Sequence, residues 1–281
     1  MTIAVAPERT LVMVLVAVAQ FAPTDDKPGN LAQVTRLAGE AAGRGAEVVV
    51  LPEYSMFTVP AMDERFVASA ERLDGAFATG LREVAARRGI TVVAGMNEAG
   101  PEGGRIFNTL VVAGPDGELA ARYRKLHLYD AFGFRESDFV RAGDITEPAT
   151  FKAAGLTFGL QTCYDLRFPE VTRRLADAGA QIVALPAEWV PGPLKEHHWT
   201  TLVKARAIEN TVYVAAADQI APMGSGSSLV VDPMGVVAAS LGEAPGVAVA
   251  EISAGRVDQV RATNPALALR RFAVVPREDL G

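Results

Sequence analysis

Leu11-Val-Met-Val-Leu-Val-Ala-Val-Ala19 is an unbroken apolar run behind Arg9, and it has two readings. A basic residue, an apolar stretch and Ala17-Val18-Ala19 before Gln20 have the form of a secretion signal with a small-residue cleavage site. A Val-rich segment ended by Pro23 and the pair Asp25-Asp26 also reads as a buried first strand. The run is far short of the roughly 20 residues that span a bilayer. The rest of the chain continues as an α/β pattern that needs a strand at this place, so the run is read as one.

Outward from it, residues 30–44 predict a helix, with Leu31, Val34, Leu37, Ala38 and Ala41 on one face and Gly45 as its stop. Residues 47–51 form a short apolar strand, 63–88 a helix with a break near Gly75, and 90–96 a strand. Strands 108–113 and 118–122 meet across Gly114-Pro-Asp-Gly117, and 150–153 and 156–161 across Ala154-Gly155. Residues 124–145 between these hairpins are irregular, charged and aromatic. A helix at 168–178, a strand at 181–185 and a helix at 195–210 follow. Strands at 212–217, 228–231, 236–240 and 247–251 complete the pattern, with Asp232-Pro-Met-Gly235 as a turn. Strands alternating with helices in both halves, with hairpins inserted, predict an α/β fold of two mixed sheets covered by helices. There is no Pro/Gly/Ser linker, so residues 1–281 are expected to form one domain. Residues 264–281 look less like core and are read as an arm that reaches a neighbour.

The 281 residues carry 27 Lys and Arg against 33 Asp and Glu, a net charge of −6, and 49% are apolar. A chain of this size buries roughly three quarters of its unfolded surface, which argues against disorder. The acidic balance offers no footprint for nucleic acid. A single cysteine excludes an intrachain disulfide framework and a multi-cysteine zinc site. His197 and His198 point about 100° apart on a helix and do not share a face, so no metal or cofactor is expected. A free thiol with the strand reading of the N-terminus places the protein in a reducing compartment, the cytoplasm, with no membrane association.

Three strand ends carry reactive side chains. Cys163 stands between the strand Leu156-Thr-Phe-Gly-Leu160 and a helix opening near Pro169, the strand-to-helix turn where α/β proteins place sites. Taken alone, a lone cysteine is more often a small buried hydrophobe. Glu53 follows the second strand in Leu51-Pro52-Glu53-Tyr54, and its apolar flanks favour a general base. Taken alone it is a solvated loop residue. Lys125 closes Arg122-Tyr-Arg-Lys125-Leu-His127, where alternation puts Lys125 and His127 on one face if the strand stays regular. Its bland alternative is an edge-strand lysine. His127 as base to Cys163 is a rival arrangement.

Leu51-Pro-Glu53-Tyr, Tyr123-Arg-Lys125-Leu-His127-Leu and Thr162-Cys163-Tyr-Asp-Leu-Arg-Phe-Pro-Glu170, in that order, resemble the nitrilase superfamily of carbon–nitrogen hydrolases. The resemblance runs from about residue 11 to about residue 255. It implies a four-layer αββα sandwich, a homodimer or higher homo-oligomer paired through helices near the nucleophile, and a small-molecule amide as substrate. It implies Cys163 as nucleophile, Glu53 as base, Lys125 with the backbone N–H of Tyr164 as oxyanion donors, and Glu136, in Arg135-Glu136-Ser137, as the second glutamate. Under this reading His127 supports the loop around Lys125. The nearest branch resembles the omega-amidases and deaminated-glutathione amidases, in which an arginine at the place of Arg167 binds a substrate acid.

Arg167 has a structural alternative, an ion pair with Asp165 or Glu170. Tyr54, Tyr164 and Trp189 are expected beside the substrate, and Leu185-Pro-Ala-Glu188-Trp189-Val-Pro-Gly192 as a pocket wall. The acidic Glu188 is unexpected next to a carboxylate clamp. The loop Tyr129-Asp-Ala-Phe-Gly-Phe134 is expected to cap the site and favour small ligands. Nitrile or N-carbamoyl-amine hydrolysis remains an alternative on the same residues, as does a dimeric binding protein without catalysis.

Overall fold

The computed structural model describes residues 13–101 and 104–277. Leu11, Val12 and the preceding Arg9 of the first run lie outside the described residues, as do the last four residues of the expected arm. The rest of the run is β1 (Met13–Gln20). Its side chains alternate between two apolar layers: Val14, Val16 and Val18 join one, Ala17 and Ala19 the other. β2 (Val48–Val50) repeats this, with Val48 and Val50 on the first side and Val49 on the second. A strand apolar on both faces must be covered on both faces, which forces a layered structure.

Two six-stranded sheets result. The first comprises β12 (Gly246–Ser253), β1, β2, β3 (Thr91–Glu98), β4 (Phe107–Ala113) and β5 (Leu119–Arg124), in that spatial order. The second runs β11 (Val237–Ser240), β10 (Leu229–Val231), β9 (Tyr213–Asp218), β8 (Ile182–Ala187), β7 (Leu156–Leu160) and β6 (Thr150–Ala153). Both have three central parallel strands flanked by antiparallel ones. The Val14–Val16–Val18 face of the first sheet packs on Phe158, Ile182, Ala184 and Ala215 of the second. α1 (Lys27–Gly43) and α3 (Ala76–Arg88) cover the outer face of the first sheet. α4 (Pro169–Asp177) and α5 (Lys195–Asn210) cover that of the second. The order is αββα, as the resemblance implied.

Local chemistry explains where the boundaries fall. α1 starts a turn earlier than the apolar face suggests, because Asp26 caps it, accepting from the Gly29 N–H at 3.2 Å, with Pro28 in the first turn. The expected break near Gly75 separates α2 (Glu64–Ser69) from α3. α6 (Ala254–Thr263) has no counterpart in the sequence reading; Ser253 caps it through the Arg256 N–H at 3.2 Å. From Asn264 to Arg277 the chain has neither helix nor strand, and Leu269, Phe272 and Val275 project into solvent. No described helix is long and apolar enough to cross a membrane.

Candidate active site

The parallel strands β2 and β7 and the antiparallel β5 deliver their successors to one place between the sheets' ends. Pro52 lacks an N–H and ends β2, which puts Glu53 at its mouth. The loop lies flat on β3 because residue 95 is glycine: a Cβ there would sit 2.5 Å from the Tyr54 nitrogen and 2.7 Å from the Glu53 Cα. Glu53 Oε1 accepts from Lys125 Nζ at 2.9 Å and Asn108 Nδ2 at 2.6 Å, and Oε2 accepts from the Glu188 N–H at 2.7 Å.

β5 ends at Arg124, so alternation does not carry Lys125 and His127 onto a shared face. Lys125 turns inward and also donates to Glu136 Oε1 and Oε2 at 3.1 and 2.9 Å. Glu136 further accepts from Tyr54 Oη at 2.8 Å, Asn108 Nδ2 at 3.0 Å and the Tyr129 N–H at 2.6 Å. Burial opposes the charge on Lys125, but Glu136 and Glu53 hold its pKa well above the ordinary lysine value. Burial likewise works against an ionised Glu136, yet Lys125 keeps its pKa below the usual carboxylate range.

Cys163 follows β7 in a left-handed conformation, φ 45°, which a residue with a Cβ adopts at a cost of about 1–3 kcal/mol. Asp165 holds the turn, accepting from the Thr162 N–H at 3.1 Å, Tyr123 Oη at 2.6 Å and the His127 N–H at 3.1 Å. The His127 ring also gives its Nδ1 to Asp165, at 2.8 Å, and stacks on Phe168. This places His127 as a support of the loop, not as the partner of the thiol. The thiol instead contacts the Glu188 carbonyl, 3.5 Å away, and the Glu53 carboxylate. Burial first, then Glu53, push its pKa well above the ordinary thiol value, while Lys125 pulls it down. The resting group is therefore S–H facing a carboxylate, with an ammonium alongside.

The residues expected around the substrate divide. Tyr54 and Trp189 are buried and their polar atoms are engaged within the protein. Tyr54 holds Glu136, and Trp189 donates its N–H to Asp218 at 2.7 Å and its Nε1–H to the Lys195 carbonyl at 2.8 Å. Tyr164 packs edge-on to Tyr129 and Phe168. Arg167 forms no ion pair with Asp165 or Glu170. Its guanidinium lies 4.9 Å from the Trp189 ring and 5.6 Å from the Phe132 ring, and Nη2 is 3.4 Å from His198 Nδ1.

Sequence reading missed Asn108, Lys195, Thr58 and Gln219. Asn108 had a signal, an amide that opens the apolar run of β4 beside Thr109, and both are fully buried. Lys195 had none: it opens α5 and looks solvated, yet Nζ donates to Tyr129 Oη at 2.9 Å and lies 4.8 Å from the Phe132 ring and 4.9 Å from the Trp189 ring. A separate cavity of about 610 Å³ lies away from the thiol, between Leu126 and His127, α4, and Val274 and Val275 of the C-terminal segment.

A family model for carbon–nitrogen hydrolases matches residues 15–262. The chain is 42% identical over 259 residues to the deaminated glutathione amidase of Escherichia coli O157:H7, covering 92% of this chain and 98% of that protein. The NitFhit protein of C. elegans superposes with a TM-score of 0.84 at 31% identity, over 92% of this chain and 65% of NitFhit, just under two thirds of its length. The NitN amidase of Nesterenkonia sp. AN1 superposes with a TM-score of 0.78 at 30% identity, over 92% of this chain and 96% of the amidase. The chain belongs to the carbon–nitrogen hydrolase family, in the nitrilase superfamily, and is a thiol-dependent amidase of non-peptide carbon–nitrogen bonds.

Proposed function

We propose that Cys163 is the nucleophile of this amidase, Glu53 its general base and acid, and Lys125 with the Tyr164 N–H its oxyanion hole. Cys163 Sγ attacks the amide carbon while its proton passes to Glu53. At rest the Lys125 ammonium reaches three carboxylate oxygens, Glu53 Oε1 and both oxygens of Glu136, and the longest of these contacts, 3.1 Å to Glu136 Oε1, is the one given up when an N–H turns to the developing oxyanion. Glu53 returns the proton to the departing nitrogen, and an acyl thioester remains on Cys163. Water then attacks the thioester, giving its proton to Glu53; the C–S bond breaks, the acid leaves, and Glu53 returns the proton to the Cys163 sulfur, which restores the thiol and the carboxylate. Glu136 holds the Lys125 ammonium in place through both of its carboxylate oxygens, and Asn108, Tyr54 and the Tyr129 N–H hold Glu136.

The substrate is a small carboxylate-bearing amide of the 2-oxoglutaramate or deaminated-glutathione type. One observation carries this. Arg167 and Lys195 share the faces of Phe132 and Trp189, and neither is within ion-pair distance of a carboxylate among the described residues. Two cations on an aromatic floor beside the thiol suit an acidic substituent. The name of the Escherichia coli relative agrees with that class.

The chain acts as one catalytic domain and as a homodimer or higher homo-oligomer through α4 and α5, with the segment from Asn264 crossing to the neighbour. The exposed Leu269, Phe272 and Val275 support this. A free thiol supports a cytoplasmic location, and the net charge of −6 supports a protein without nucleic-acid partners. The test is ammonia or amine release from 2-oxoglutaramate, deaminated glutathione, butyramide, a nitrile and an N-carbamoyl amine. The two acids should lead in kcat/KM. Preference for the nitrile, the carbamoyl compound or butyramide would overturn the substrate class.

A further inference from the structure

Glu188 is an acid that the mechanism above does not use. Its backbone brackets the reacting groups: the N–H donates to Glu53 Oε2 at 2.7 Å, and the carbonyl lies 3.5 Å from Cys163 Sγ. Its side chain is held by one oxygen only. Oε2 accepts from Thr58 Oγ1 at 3.0 Å and from Gln219 Nε2 at 2.9 Å, while Oε1 takes no hydrogen bond among the described residues. A carboxylic acid divides its labour in this way: the carbonyl oxygen accepts and the hydroxyl oxygen donates. The two protein donors converge on one oxygen, so a proton belongs on the other.

The surrounding charge favours that proton. Glu53 faces Glu188 from the end of β2, Tyr54 from the same loop, Glu136 from the turn after Tyr129, and Asp218 from the end of β9. Lys125, from the end of β5, is the cation among the groups that act on it most strongly, and it already serves two carboxylates. Burial, then Glu53, push the Glu188 pKa up to about 8.

We propose that Glu188 is a specificity-determining residue, a neutral carboxylic acid whose Oε1–H donates a hydrogen bond to an oxygen of the bound acyl group. In this form it is compatible with a substrate acid held by Arg167 and Lys195; ionised, it repels that acid. The inference rests on the reading of Cys163 as nucleophile, which places the acyl group beside Glu188.

The experiment is the pH profile of KM and kcat for 2-oxoglutaramate and for butyramide, in the wild type, Glu188→Gln and Glu188→Ala. A group titrating at about 8 is mostly protonated at about pH 7 and about one-tenth protonated at about pH 9. KM for the acid amide in the wild type should therefore rise about tenfold across that interval, with a much smaller rise for butyramide. Glu188→Gln keeps a donor and cannot ionise, so its KM for the acid should stay flat. Glu188→Ala should show a raised, flat KM. A wild-type alkaline rise that persists in Glu188→Gln would overturn the inference and assign the titration elsewhere, Lys195 included. A flat wild-type profile, or Glu188→Ala with the wild-type KM, would overturn it too. Failure of the nucleophile reading registers separately, as turnover by Cys163→Ala.

Discussion

Replacing Lys125 by Met keeps the bulk of the stem but removes the ammonium that bridges Glu53 and Glu136, each at 2.9 Å. All three side chains are almost wholly withdrawn from water, so the change strands buried negative charge. Removing one partner of a buried ion pair costs about 3–5 kcal/mol. At about 2–4 °C per kcal/mol for a large domain, the variant should melt on the order of 10 °C lower near neutral pH. The pH dependence fixes the cause. In the wild type Lys125 holds the Glu136 pKa below its unfolded value against the effect of burial. That contribution is fully present above the unfolded carboxylate pKa and is lost as pH falls through the folded one. Without Lys125, burial acts unopposed and raises the pKa of Glu136, so the variant recovers stability by taking up a proton as pH falls. The gap in Tm should therefore be widest near neutral pH and narrow toward about pH 5. Loss of an oxyanion donor should lower kcat by roughly 10²- to 10³-fold at every pH where the protein is folded. Melting curves across this range, with kcat for 2-oxoglutaramate, make the assay. An unchanged Tm at neutral pH, or a gap that widens in acid, would refute the electrostatic account of the cluster.

Arg167→Ala should lower kcat/KM for 2-oxoglutaramate by about 10- to 100-fold more than for butyramide, since a charge-assisted contact counts only when the carboxylate is present; equal losses on both, with a lowered Tm, would make Arg167 structural. Asn108→Leu removes a donor shared by Glu53 and Glu136, and a loss of about 2 kcal/mol, roughly 30-fold in kcat, should follow with the fold intact by circular dichroism. Removal of residues 264–281 should weaken self-association without abolishing turnover; light scattering that gives the same mass for both forms, or a monomer for the full chain, would reject the role assigned to the arm.

The layers were legible because β1 and β2 are apolar on both faces and because α1 and α3 each show an apolar stripe. α6 was not, because its start depends on one serine cap and its apolar face is only Val257 and Val260. The thiol, carboxylate and ammonium stood out as reactive residues at strand ends. What links them did not. Asn108 reaches Glu53 across a separation of 55 residues, and Gln219 reaches the Glu53 carbonyl across 166, and no local pattern encodes such contacts. The expectation that Lys125 and His127 share a face failed at a single residue, where β5 ends and alternation ceases. Lys195 resembled an ordinary solvated helix residue until the Tyr129–Phe134 loop and Trp189 were brought over it.

Mass measurement of the acid-quenched protein after mixing with 2-oxoglutaramate tests the covalent claim most directly. The wild type should gain the mass of one acyl group, localised by digestion to the peptide carrying Cys163, and the gain should vanish in Cys163→Ala together with ammonia release. Turnover by a pure Cys163→Ala protein, or an acyl group on any other residue, would contradict the account.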